Sequence, residues 1–190
     1  MISHSAICFI LLLALTIGGA GRQSVTAERA GDGRRVDGAA AVVMRGSLDE
    51  VKSRHRVALL VSKALVVDAR DPALGALEDY RKLLEGSPPR PHFTAYRQIA
   101  QKLNKYIRKY KSMSAARSFN EAELVIVFRV SSQRASIITG EPFVWGKMFV
   151  LAVEGNKIPR VVWESKGDES QAEEATGDFI KAMRTARGEK

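Results

Sequence analysis

Apolar side chains recur along this chain with two periods. From Ala122 to Val130 (AELVIVFRV) they alternate. Ala122, Leu124, Ile126, Phe128 and Val130 make one apolar face, while Glu123 and Arg129 sit at the ends of the other around Val125 and Val127. A period of two predicts a strand, and apolar residues on both faces predict a central one whose second face is at least partly covered. Val144 to Val153 is predicted as the next strand. Glu154-Gly155-Asn156-Lys157 supplies a turn, since Gly and Asn tolerate the positive φ angles it requires. Arg160 to Ser165 then returns antiparallel and places Trp163 against the body. Arg56 to Asp68 (RVALLVSKALVVD) reads two ways. Val57, Leu59, Val61, Leu65 and Val67 alternate as in a strand, whereas Leu48, Val51, His55, Ala58 and Ser62 line one side of a helix. The β-branched content favours a strand, at least from Leu60 to Val67.

Three segments carry the helical period. Asp71-Pro72 predicts a helix start: the carboxylate caps free N–H groups, and proline fits the first position, where its missing donor is not needed. Ala73, Leu77, Tyr80 and Leu84 then share a face. Gly86 ends the helix, and residues 87–91 (SPPRP) form a stiff connector. The second helix runs from His92 to Lys111, with Phe93, Tyr96, Ala100, Leu103, Ile107 and Tyr110 as its apolar stripe. The third follows a run of acids, RVVWESKGDESQAEE from Arg160 to Glu174. Ser170-Gln171-Ala172-Glu173 fits a capping box, in which the hydroxyl and the carboxylate each bond a free N–H of the first turn. Asp168, Glu169, Glu173 and Glu174 then sit at the positive end of the helix dipole. Ala172, Ala175, Phe179, Met183 and Ala186 face inward, and Gly177 predicts fraying. Ser112 to Asn120 reads as a loop or a frayed continuation. Ser131 to Pro142 reads as a loop in which Ile137-Ile138 pairs locally.

These elements predict an α/β (α+β-like) domain over residues 48–190. Its mixed sheet has about four strands, with helices mainly on one face. Helices connect the first strand to Leu124–Phe128, so those two strands are expected to be parallel.

The N-terminus changes the address. Ala6 to Ile17 is apolar and Gly18-Gly19-Ala20 is small, the pattern of a secretory signal over residues 1–20. The run is shorter than the roughly twenty residues that cross a bilayer. An uncleaved membrane anchor is the alternative. Residues 21–46, rich in Gly, Ala, Arg and Asp, read as a flexible leader. Cleavage leaves about 170 residues, enough for one domain. It also removes Cys8, the chain's single cysteine, and with it disulfides, thiol catalysis and cysteine-bound metal. The protein is expected to be exported to a periplasmic or extracellular compartment.

Charge adds one candidate surface. The chain carries 30 Lys and Arg against 21 Asp and Glu, a net charge of +9. Arg97, Lys102, Lys105, Arg108, Lys109 and Lys111 share the second helix with no acid to balance them. Like charges on one helix repel, and an anionic partner relieves the repulsion. Arg97, Lys102, Lys105, Arg108 and Lys109 are therefore candidate anion-binding residues, with an ordinary solvated face as the competing reading. Tyr106 is the one aromatic on the basic side. Lipid headgroups or an anionic wall polymer suit an exported protein better than nucleic acid does.

Other chemistries find little support. His55 and His92 lack a neighbouring ligand pair, and the acids at 168–174 lack the spacing of a calcium loop, so no metal is expected. Gly140 to Lys147 resembles a phosphate-binding loop, but five residues separate its glycines where four are needed. Met148 stands at the magnesium-ligating position, and a strand follows instead of a helix. No G-x-S-x-G elbow and no nucleotide or flavin fingerprint occurs, so no cofactor is expected. Glu164 and Asp168 near Trp163 read as a solvated strand end before they read as an acid/base pair.

Ala122-Glu123-Leu124-Val125-Ile126, Trp163 and the helix around Phe179 to Met183 resemble a loose family of exported bacterial proteins of one α/β domain. The hallmark of that family is a helix leading into an A-D-L-apolar-apolar strand, then a hairpin ending in Trp and a closing helix. Glu123 replaces the usual Asp. The likeness spans residues 57 to 187. More distantly, the chain is similar to small envelope lipoproteins and to the amino-terminal domain of the periplasmic Tol-associated protein, although it lacks a lipid-attachment cysteine. The resemblance implies a fold and an address and no catalytic residue. Three functions are therefore carried forward: a non-enzymatic envelope or extracellular interaction module, a binder of anionic polymer or membrane surface through residues 92–111, and an enzyme whose site has no recognised motif.

Overall fold

The central element of the sheet is the strand with two apolar faces. In this computed structural model, which describes residues 43–64, 71–136, 140, 142–155 and 157–189, it is β3 (Leu124–Ala135). It lies between β1 (Arg56–Lys63) and β4 (Pro142–Ala152). β1 and β3 are parallel, in register from Val57 opposite Leu124 to Lys63 opposite Val130. β4 and then β5 (Arg160–Glu164) follow antiparallel. The fold is thus α/β with a mixed sheet, in which β2 (Ser114–Ala115) lies beside β1 to give the order β2-β1-β3-β4-β5.

The sheet has six strands, more than the four read from the pattern. The two extra ones are two-residue pairings too short to impose a period: β2 (Ser114–Ala115) beside β1, and β6 (Ser170–Gln171) beside β4. β2 and a 3₁₀ turn at Phe119–Glu121 occupy the segment expected to be a loop or a frayed helix. β3 also runs on through the predicted loop to Ala135, which pairs with Pro142. Its polar outer half is held by ladder hydrogen bonds and not by burial, so no apolar period marks it. Ile137 and Ile138 lie outside the described residues.

Both helical and strand readings of residues 48–63 hold in part. Leu48–Ser53 is a 3₁₀ helix, and β1 begins at Arg56, earlier than the expected Leu60. Leu65 and Val67 lie outside the described residues, as do the expected signal and all of the leader before residue 43. The folded chain starts ahead of Leu48. Gly46 N–H donates to Val161 O (2.9 Å) and Val161 N–H to Met44 O (2.9 Å), which lays this segment along β5.

Two layers of apolar side chains flank the sheet. Leu59, Val61, Leu124, Ile126, Phe128 and Val130 face α2 (Phe93–Tyr110) and α3 (Ala172–Arg187). Ala58, Leu60, Val125, Val127, Phe149 and Leu151 face α1 (Pro72–Leu84). Ala122, expected with the first set, joins the second. Asp71 caps α1, accepting from Ala73 N–H at 2.9 Å, with Pro72 in the first turn. α1 buries Ala73, Ala76, Asp79 and Tyr80, while Leu84 is half exposed, because its face rotates past the sheet before the helix ends. Trp163 packs on Phe179, ring centroids 5.3 Å apart.

The start of α3 differs from expectation. Ser170 is not a cap: it pairs with Gly146 in β6, and its hydroxyl is buried without a partner. Gln171 precedes the helix and makes no side-chain cap bond. The extended backbone needed for pairing with β4 takes Ser170 away from the helix end. A capping box does form at Ser47. Its Oγ accepts from Asp49 N–H at 3.2 Å, and Glu50 Oε1 accepts from Ser47 N–H at 3.2 Å. Ser47→Ala is expected to cost about 1 kcal/mol. Ser170→Ala should stay within about 0.5 kcal/mol of the parent, since no bond is lost. Chemical denaturation of the two variants side by side checks the assignment.

Candidate functional site

Helix α2 is held at both ends. His92 Nδ1 accepts from Ala95 N–H at 3.3 Å, and Lys111 adopts a left-handed conformation (φ 55) that closes the last turn onto Ile107 O. Ala95, Ile99, Ala100, Leu103 and Tyr106 form its buried side, with Tyr96, Ile107 and Tyr110 packed beside them. This wedge is rotated from the expected stripe. Phe93 is 60% exposed. Tyr106, expected on the basic side, is buried, and its hydroxyl meets Ser112 Oγ (2.9 Å) and Glu189 Oε2 (2.7 Å). Burial together with the Glu189 carboxylate pushes the Tyr106 hydroxyl up to about 12.

With the wedge fixed, the opposite side of the helix faces outward. Arg97, Gln101, Lys105, Arg108, Lys109 and, past the helix end, Lys111 are exposed. Gln101, Asn104, Lys105, Arg108 and Lys109 line an open depression of about 460 Å³. Gln101 and Asn104 are site residues that charge alone does not flag. Their signal is positional: Arg97, Gln101 and Lys105 recur every four residues, and Gln101, Asn104 and Arg108 follow the same stripe. Lys109 Nζ lies 5.0 Å from the Tyr110 ring centroid, and the Arg184 guanidinium 4.8 Å from it.

Lys102 leaves this group. Its Nζ donates to Glu173 O at 2.7 Å, stitching α2 to the first turn of α3. Gly177 admits it, since a Cβ there would stand 3.1 Å from Lys102 Nζ. The glycine thus serves a close approach, and α3 continues unbroken past it to Arg187 where fraying was expected.

Several basic side chains elsewhere on the described surface are paired. Arg45 meets Asp71 and Glu164; Arg56 meets Glu123; Arg81 meets Glu78 and Glu85; Arg54 and Arg160 share Glu50 and Glu154. Glu154 is drawn down to about 2, first by the Lys157 hydrogen bond and then by that from Arg54. Among the described residues, no carboxylate lies within ion-pair distance of Arg97, Lys105, Arg108 or Lys109. Those four of the five expected anion-binding residues remain together.

No family model and no curated protein sequence matches the chain. A solved PelC dodecamer from Paraburkholderia phytofirmans aligns at 15% identity over 76% of this chain and 93% of that one, with a TM-score of 0.32. At that score the likeness carries no argument.

The acids of residues 164–174 do not converge. Glu164 pairs with Arg45 on β5, and Glu173 and Glu174 lie in the first turn of α3. Among the described residues no three metal-ligating side chains gather. Gly146, the second glycine of the phosphate-loop look-alike, sits mid-strand between Val130 and Ser170. Among the described residues no helix is long and apolar enough to cross a membrane.

Proposed function

We propose that the protein is an exported, non-enzymatic interaction module of the periplasm or cell exterior, which holds anionic polymer or lipid headgroups on the outer face of α2. The observation that carries this reading is the clustering of unpaired cations on one helix face. Arg45, Arg56, Arg81 and Arg160 have carboxylates, whereas Arg97, Lys105, Arg108 and Lys109 share one helix face and have no carboxylate among the described residues. Lys105 has Arg108 and Lys109 three and four residues on, about 5–6 Å away between Cβ atoms, within the Debye length of about 8 Å at physiological salt, so these like charges repel. A polyanion or an anionic bilayer relieves that repulsion. Each basic side chain near such a surface contributes about 1 kcal/mol. Gln101 and Asn104, between the cations, add neutral donors for sulfate, phosphate or carboxylate oxygens.

The test is co-sedimentation with phosphatidylglycerol-rich vesicles, run beside retention on immobilised heparin to separate a lipid surface from a soluble polyanion. Binding should fall as salt rises. Reversing Lys105, Arg108 and Lys109 to Glu should reduce it by at least about 100-fold, given about 1 kcal/mol per cation removed and repulsion added besides. Lys102 is left intact because it supports the α2–α3 contact. Retention that neither salt nor the triple reversal changes would refute the assignment.

A further inference from the structure

A second concavity lies on the flank of α3, between the Leu48–Ser53 turn and the end of β5. It is an open groove of about 510 Å³, within the roughly 300–1,000 Å³ of small-molecule sites. Trp163 lines it, half buried and packed on Phe179 with ring centroids 5.3 Å apart. Leu48, Ala182 and Ala186 add apolar lining. Glu164, Asp178 and Lys181 stand around it, all exposed. Glu164 is fixed by Arg45 at 3.3 Å. Asp178 and Lys181, three residues apart on α3, form no ion pair with each other or with any other described residue. An acceptor and a donor thus flank the indole, and neither has an ion-pair partner among the described residues.

This combination selects its occupant by chemistry. A fully apolar ligand would strip water from the charged rim without replacing its hydrogen bonds. A phosphate or other strong anion would meet three carboxylates, Asp49, Glu164 and Asp178, against two ammonium groups, Lys166 and Lys181. A ring with one face of C–H bonds and hydroxyl groups around its edge satisfies both parts: the face lies on the indole, and the hydroxyls donate to carboxylates and accept from the ammonium. The geometry points to a binding site for an uncharged oligosaccharide, with Trp163 as the stacking plane and Asp178 and Lys181 as the edge contacts. This site shares no residue with the basic face of α2 and does not depend on it.

The experiment uses the full chain carrying W145F, so that Trp163 is the sole reporter of the chain's two tryptophans. Its emission is titrated with chitotriose, cellotriose and maltotriose at low and high salt. A saturable change with at least one of the three, tighter than about 1 mM and insensitive to salt, is the expected result. Asp178→Ala and Lys181→Ala change exposed side chains and leave the Trp163–Phe179 contact in place; each should weaken that binding about tenfold. Absence of a saturable response to all three sugars overturns the proposal, and so does binding that both variants leave unchanged. Salt sensitivity separates the two sites, because retention through α2 must fade as salt rises while sugar binding persists.

Discussion

Asp79→Ala is expected to lower the stability of the folded domain by about 3–5 kcal/mol, the range for removing one partner of a buried ion pair. Asp79 lies on the inner side of α1 and is 9% exposed. Its Oδ2 accepts from Ser62 Oγ of β1 at 2.6 Å and from Arg129 Nε of β3 at 3.0 Å. One carboxylate therefore ties a helix to two neighbouring strands. Without it, a guanidinium whose side chain is 12% exposed loses its ion pair to α1. Urea unfolding should show a lower midpoint with an unchanged slope. Replacing both partners with leucine should recover much of the loss, since apolar substitutes for a buried pair are often neutral or stabilising. An unchanged midpoint for the single variant would mean that α1 does not dock on this pair.

Gly146→Val should be nearly as damaging, and for a steric reason. Gly146 pairs with Val130, where the β3–β4 register shifts between Val130 and Ser132. A Cβ on Gly146 would stand 2.2 Å from the carbonyl oxygen of Arg129. That oxygen is backbone in the middle of a ladder and cannot swing aside as a side-chain tip does. The cost is expected at or above the top of the about 1–3 kcal/mol found for overpacking. The melting temperature should fall by roughly 2–4 °C for each kcal/mol lost. Gly146→Ala should show a smaller drop of the same sign, and thermal melts of both variants check it. A valine variant that melts with the parent would show that the two strands part more readily than their pairing implies.

Regular elements were legible wherever one period dominated. Val125 and Val127, apolar on the face where a half-exposed strand would be polar, announced that β3 is covered on both sides, and α1 is the cover. Asp71-Pro72 announced α1 through chemistry local to two residues. Errors arose where a tertiary partner decided. Phe93 and Tyr106 are both aromatic, yet one is exposed and the other buried. Small residues, Ala95 and Ala100, let α2 approach the sheet and so set its rotation, and small side chains weigh little in a hydrophobic period. Ser170 satisfied the local rule for a cap, but pairing with Gly146 drew its backbone into the sheet. Lys102 looked equivalent to its basic neighbours until Gly177, distant in sequence, gave it a seat on α3. The outward position of Arg97, Lys105, Arg108 and Lys109 was readable from charge; their lack of carboxylates among the described residues depends on where each acid ends up, which no local pattern encodes.

The parallel registration of Val57 against Leu124 bears on how this polypeptide acquires its form. Two whole helices and a long excursion must be gathered before the first rung of that ladder can close, so chain entropy is spent well ahead of the reward. Topologies of this kind condense over milliseconds to seconds, not microseconds. The newly made chain therefore spends a comparatively long interval loose and threadable.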